Sequence, residues 1–230
     1  MKSHIWPKNI SEAKTVQMAV KDRIKIVPLK KTPEFIAAVD ASFTGQDVIG
    51  IACLYTYPEL SYIGYETSFK KITFPYVPGY LTFREGPAVV EALNTLKSSL
   101  KIRPHLILVD GQGIAHPKRT GIAAHIGVLL NMPTIGCAKS RLIGEYKEPG
   151  TEKGDWSLLK YKGKVIGAVL RTRANITPVF VSPGHRIDLK GSIEIVLGCT
   201  GKYRIPEPLR MADFLSKKIK REFLVQQRLP

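Results

Sequence analysis

The chain is short of cysteine, of acidic residues and of long apolar runs, and each shortage excludes something. Cysteine occurs three times, at Cys53, Cys137 and Cys199, far apart and never as C-x-x-C. An odd number of isolated thiols argues against a disulfide framework and against a structural zinc site. Each thiol is flanked by apolar or small residues, so buried, reduced cysteines are expected. No apolar run approaches the roughly 18 residues that a membrane-spanning helix requires. Met1-Lys2-Ser3-His4-Ile5-Trp6-Pro7 lacks the apolar core of a secretory signal. A cytoplasmic protein with no membrane partner is expected. Internal repeats and low-complexity tracts are missing too, and no stretch stands out as a linker between domains. The 230 residues suit one domain, residues 1–230, with a substantial core.

Asp and Glu number 19 against 35 Lys and Arg, for a formal net charge of +16. Such an excess favours a polyanionic partner, nucleic acid first and an anionic membrane second. The cations are dispersed, with no Lys/Arg run long enough to form a tail.

What is present is a series of short apolar runs with turn signals between them. Ser11 to Arg23 reads as a helix, with Ser11 as N-cap and Ala13, Val16, Ala19 and Val20 as its apolar stripe. Phe35 to Asp40, Val48 to Tyr55 and Ser61 to Thr73 read as three strands on hairpin-sized connectors, an antiparallel meander. Phe74 to Gly86 is irregular and dense in Pro, Gly and Tyr. Pro87 suits the first turn of a helix that runs to Arg103-Pro104, with Val89, Val90, Leu93, Leu96 and Leu100 at helical spacing. Leu106–Val109 reads as a strand, Gly121–Asn131 as a helix and Thr134–Ala138 as a strand. Arg141 to Lys164 reads as a loop or an exposed hairpin. Val165–Arg171 and Val179–Val181 are further strands, Ser192 to Leu197 a short helix and Pro208 to Arg228 a longer one. The fold class is therefore α/β: a mixed central β-sheet flanked by helices on both faces.

Three acids stand in telling places. Asp40 ends the run FIAAVD and Asp110 ends LILVD, each an apolar strand closed by one carboxylate. If the two strands are neighbours, both carboxylates emerge at the same sheet edge, about 5 Å apart by strand spacing. Glu85, placed just before the expected helix, can add a third oxygen ligand. Three converging carboxylates suit Mg²⁺ or Mn²⁺, and in a basic protein that combination points to phosphodiester cleavage. Each acid taken singly can equally cap a turn or a helix. His185, in a loop leaving a strand, can activate water or protonate a leaving oxygen, with Asp188 to orient it; it can also simply be exposed. Lys139, just past a short strand, can hold a phosphate. Pro75 and Pro78 stiffen a loop that carries Tyr76 between them. A rigid exposed aromatic suits the space left by an extruded base; packing of the loop's tyrosines on the core is the plainer alternative.

Taken together, these segments resemble the endonuclease V family. The matching strings are VDASF (39–43), FPYVPGYLTFREGP (74–87), LVDGQGIAHPKRTGIAAHIGVLL (108–130), PTIGCAKSRL (133–142), SPGHRIDL (182–189) and YRIPEPLRMAD (203–213). The resemblance implies an RNase H-like fold. It also implies a DNA repair endonuclease that recognises inosine and cuts the second phosphodiester bond 3′ to it, leaving 3′-hydroxyl and 5′-phosphate ends. The implied cofactor is Mg²⁺, with Mn²⁺ as a substitute. The implied partner is DNA containing deoxyinosine, or inosine-containing RNA, bound by a monomer. Asp40, Glu85 and Asp110 resemble the metal carboxylates, and Lys139 and His185 the further catalytic residues. Tyr76 resembles the tip of a duplex-entering wedge. Gly79, Leu81, Gly111 and His116 match segments around a flipped hypoxanthine. An RNase H-like nuclease of another kind, such as a ribonuclease H or a junction resolvase, has no need of the wedge. A non-catalytic nucleic-acid-binding module has no need of the three acids.

Overall fold

Tight turns and short crossovers fold the apolar runs into one eight-stranded mixed sheet, seen in a computed structural model that describes residues 6–226. Gly45, with φ +57°, closes the first turn. It joins β1 (Phe35–Thr44) to β2 (Asp47–Thr56), which pairs antiparallel along its whole length and then pairs with β3 (Tyr62–Lys71). The parallel part is β4 (Leu106–Val109) beside β1, and β5 (Thr134–Ala138) beside β4. The far side is antiparallel again: β8 (Val179–His185), then β7 (Lys164–Leu170), then β6 (Trp156–Tyr161) at the edge. The order across the sheet is β3-β2-β1-β4-β5-β8-β7-β6.

Period-2 alternation divides the strands between two cores. Ala37, Val39, Ile107 and Val109 face α2 (Thr82–Leu100) and α3 (Ile122–Leu130). Ile36, Ala38, Leu106 and Leu108 face α4 (Leu189–Gly198) and α5 (Glu207–Gln226). α1 (Ile10–Lys21) packs outside α3. Side chains as fully buried as Leu54, Leu96 and Ile126 contribute about 1.5–3 kcal/mol each. Cys53, Cys137 and Cys199 are buried free thiols, and burial raises the pKa of each. Among the described residues, no helix is long and apolar enough to cross a membrane.

Several boundaries differ from those expected. The N-cap of α1 is Asn9, whose side chain accepts from the Glu12 amide at 3.0 Å, so Ser11 lies inside the helix. α2 begins at Thr82, not Pro87. Pro87 therefore sits within the helix and forgoes the bond to the Phe83 carbonyl, and Glu85 belongs to the first helical turn. Residues 141–155 are largely loop, and β6 forms a hairpin with β7, whose Ile166–Leu170 are buried. β8 runs on to His185 because β5 pairs with it that far, through a bulge.

Candidate active site at the sheet edge

β4 stops at Val109, while β1 continues beyond its last parallel partner, Val39. Asp40 and Asp110 are the residues that follow, one strand apart. The Asp110 amide donates to the Val39 carbonyl at 3.4 Å. Two like charges about 5 Å apart near a protein surface repel by about 3 kcal/mol. Asp40 shows the consequence. Burial raises its pKa, a hydrogen bond from the Ser216 hydroxyl at 2.7 Å opposes the rise, and Asp110 adds to it.

Glu85 reaches the same edge from the first turn of α2. Burial and then the charges of Asp40 and Asp110 push its carboxyl up to about 8. No described side chain donates a hydrogen bond to it.

On the other flank is a lysine between two acids. Lys139, one residue past β5, places Nζ 2.6 Å from Asp110 Oδ2 and 3.3 Å from Asp213 Oδ1. Burial resists its charge, but the two carboxylates outweigh that and raise its pKa. Asp213, on α5, is lowered against its own burial by Lys217 and Lys139. A half-exposed ion pair adds only about 0–1 kcal/mol of stability, so what Lys139 contributes is placed charge.

The edge opens into a cavity of about 450 Å³. Its wall brings together Glu85, Asp110, Lys139, Tyr76, Gly79, Leu81, Gly111 and His116, which is every site residue singled out in the sequence except Asp40 and His185. Gly79 has φ +82°, a left-handed conformation open to glycine, and a Cβ there would stand 3.6 Å from His116 Nε2. Gly111, at φ +155°, passes so close to Ile122 that a Cβ would lie 2.8 Å from its Cγ2. His116 is buried, which lowers its pKa to about 4; its Nδ1 accepts from the Lys118 amide at 3.2 Å and its Nε2 lies against Gly79, so a neutral imidazole packs between two wall loops.

The Pro-Tyr-Val-Pro loop separates its two tyrosines. Tyr80 packs on Phe74 and Phe83, while Tyr76 projects with 71% of its surface exposed. The Arg84 guanidinium lies 5.7 Å from the Tyr76 ring and 5.0 Å from that of Phe43. Core packing thus describes Tyr80 and not Tyr76.

His185 is a correction. β8 is antiparallel to β5, so its C-terminal residue pairs with Thr134, at the start of β5 and the opposite edge from Asp110. The ring is buried, and its Nδ1 accepts from the Lys25 amide at 3.2 Å. Asp188 does not orient it: its carboxylate caps α4 by accepting from the Gly191 amide at 2.8 Å. Two residues at the acid edge escaped the sequence reading, Asp213 and Ser216. The signal was there in part. Asp213 closes the string YRIPEPLRMAD and borders the buried stripe Leu209, Ala212 and Leu215 of α5.

An acidic edge on this sheet defines an RNase H-like α/β protein. The description "Endonuclease V" belongs to the family model that matches residues 18–214. Endonuclease V of Geotalea uraniireducens is 44% identical over 221 residues, covering 96% of this chain and 92% of its own. That of Methanothrix thermoacetophila is 45% identical over 215 residues, 94% of each chain. The crystal structure of Streptomyces avermitilis Endonuclease V superposes with a TM-score of 0.90 at 37% identity, covering 95% of this chain and 96% of that one. Ciona intestinalis Endonuclease V, in complex with a 23mer DNA containing an inosine followed by a ribo-adenosine, gives 0.82 at 30% identity, covering 95% and 100%. This chain belongs to the endonuclease V family, and it is a nuclease.

Proposed function

We propose that the protein is a divalent-cation-dependent DNA repair endonuclease that recognises inosine and hydrolyses the second phosphodiester bond 3′ to it, leaving 3′-hydroxyl and 5′-phosphate ends. The observation that carries this reading is the shared wall. One cavity of about 450 Å³ joins the acid edge to the Tyr76 loop, so a base can be held beside the bond to be cut. The Ciona relative bound to inosine-containing DNA supports the substrate class.

The donors fit a hard cation. They are all oxygen, burial and the neighbouring carboxylates raise the pKa of Asp40 and of Glu85, and no described side chain donates a hydrogen bond to Glu85. No three described His, Cys, Asp or Glu side chains enclose an ion as they stand, so cation binding would draw Asp40, Glu85 and Asp110 together, with Asp213 beside them. Mg²⁺ is the proposed ion and Mn²⁺ its substitute. When bound, it would activate water and offset charge on the phosphate. Lys139, held protonated by Asp110 and Asp213, puts a fixed positive charge where a phosphate would arrive. Tyr76 fills the gap that an extruded base leaves. The backbone of Gly79, Leu81 and Gly111, with neutral His116, walls the base. Hypoxanthine has an O6 acceptor and an N1 hydrogen, whereas adenine has a donor and an acceptor at those places, so backbone groups can separate the two. His185 has no part in this scheme.

The test is nicking of matched DNA and RNA oligonucleotides with and without inosine, in Mg²⁺ and in EDTA, with the product ends mapped. Equal cutting of inosine-free strands, or cutting in EDTA, overturns the reading. The RNA arm decides between the two nucleic acids.

A further inference from the structure

Behind the base pocket is a second concavity, of about 500 Å³. It lies between one face of α1, the loop 117–119 and the β6–β7 turn. Its lining includes Lys14, Lys21, Lys118, Arg119, Lys162 and Lys164, and no acid. The ion pairs of the described residues engage other cations. Six cations around one space repel one another unless an anion joins them.

The backbone adds a second observation. Lys162 (φ +50°) and Gly163 (φ +73°) form the two-residue turn between β6 and β7. The first position of such a turn favours Asn, Asp or Gly. Arg119 is also left-handed, at φ +58°. That conformation is unfavourable for a residue with a side chain, yet at Lys162 and Arg119 it carries two of the cleft cations.

Position connects the cleft to the pocket. Gly79 and His116 line the pocket, and their chain neighbours Tyr80 and Pro117 line the cleft. Gln17, in the cleft, donates to the Gly79 and Thr120 carbonyls at 3.1 and 3.4 Å and ties α1 to both loops. Two loops, one residue thick, thus separate a base-sized pocket from a cationic cleft that also carries Tyr80 and Tyr161. Such cations can track a nucleic-acid backbone, and the aromatics among them can stack on its bases. A flat membrane surface cannot enter a concavity.

We propose that this cleft is a second contact surface for the phosphate backbone of the substrate, gripping it beyond the nucleotide held in the pocket. It rests on the nucleic-acid reading above. Binding is measured in EDTA, so no cutting is needed. Duplexes with and without inosine are titrated from 50 to 200 mM salt against Lys162→Ala/Lys164→Ala and a control, Lys30→Ala/Lys97→Ala, which removes the same charge elsewhere. All four lysines are exposed, so both variants should fold. The cleft variant should bind either duplex about tenfold more weakly at 100 mM salt, with a salt slope shallower by about 1.8. The control should stay within about twofold. Equal losses in both variants, loss on the inosine duplex alone, or loss only of binding to phosphatidylserine vesicles overturns the proposal. Absence of inosine preference in the parent protein would instead overturn the function proposed above and leave the cleft comparison intact.

Discussion

Both edges of the central sheet carry a titratable side chain at a strand's end, and they do different work. At one, apolar runs in β1 and β4 lead to Asp40 and Asp110 on neighbouring strands, and Asp110 shares the wall of an open cavity with Glu85. At the other, β8 passes from Val179-Phe180-Val181 through Ser182-Pro183-Gly184 to His185, which is buried and bonded to the Lys25 backbone. At the acid edge the charges are imperfectly compensated, and the pKa values of Asp40, Glu85 and Lys139 all depart upward. At the histidine edge burial, with Arg186, Lys25 and Arg23 nearby, holds the ring neutral with a pKa of about 4. A reactive side chain closing a strand becomes part of a site only where the edge opens to a ligand.

The sharpest way to break this contrast is Asp110→Asn. It should lower the nicking rate of an inosine duplex by about a thousandfold or more, about 4 kcal/mol of transition-state stabilisation, while binding stays within a few-fold. A rate within tenfold of the parent would remove Asp110 from the chemistry. Lys139→Ala comes next, with about a hundredfold loss in kcat, as for removal of one charge-stabilising donor. Should KM rise instead and kcat hold, the lysine binds the strand without helping to cut it. Tyr76→Ala should cost about tenfold in the preference for inosine over undamaged DNA, in line with one lost stacking contact. The melting temperature should not move, because the ring is mostly exposed; an unchanged preference would reject the wedge.

The smallest catalytic effect is expected at the opposite edge. His185→Gln should leave nicking within about twofold, and a hundredfold loss would return the histidine to the site. Its signature is in acid stability. The unfolded chain takes up a proton near pH 6.5 that the folded ring refuses until about 4. Stability from this group is therefore complete above 6.5 and declines as the pH falls toward 4. Melting followed from pH 7.5 to 5 should drop less in the variant, by about 2–4 °C for each kcal/mol relieved.

Much of the site was legible because its signals are local. An apolar run with β-branched residues makes a strand, and a carboxylate at its end must find a partner, as FIAAVD and LILVD announce. The proline-framed Tyr76 is equally local, since two fixed φ angles stiffen the loop whatever surrounds it. Glu85 was recognised but set outside its helix, because Pro87 reads as a helix start and tertiary packing carried α2 one turn further back. Asp213 stands within YRIPEPLRMAD with no local sign of its role. Its helix is an ordinary amphipathic one, and nothing within it shows that its border lies against Lys139.

By itself, then, the sequence determined the strands, the acids that close two of them, the rigid loop and the excess of positive charge, since each depends on neighbours within a few residues. The tertiary structure decided direction and company. Parallel pairing of β1 with β4 brings Asp40 and Asp110 to one edge, and antiparallel pairing of β8 takes His185 to the other. Strand direction comes from which distant segments bury each other's apolar faces, and no local run of residues encodes that.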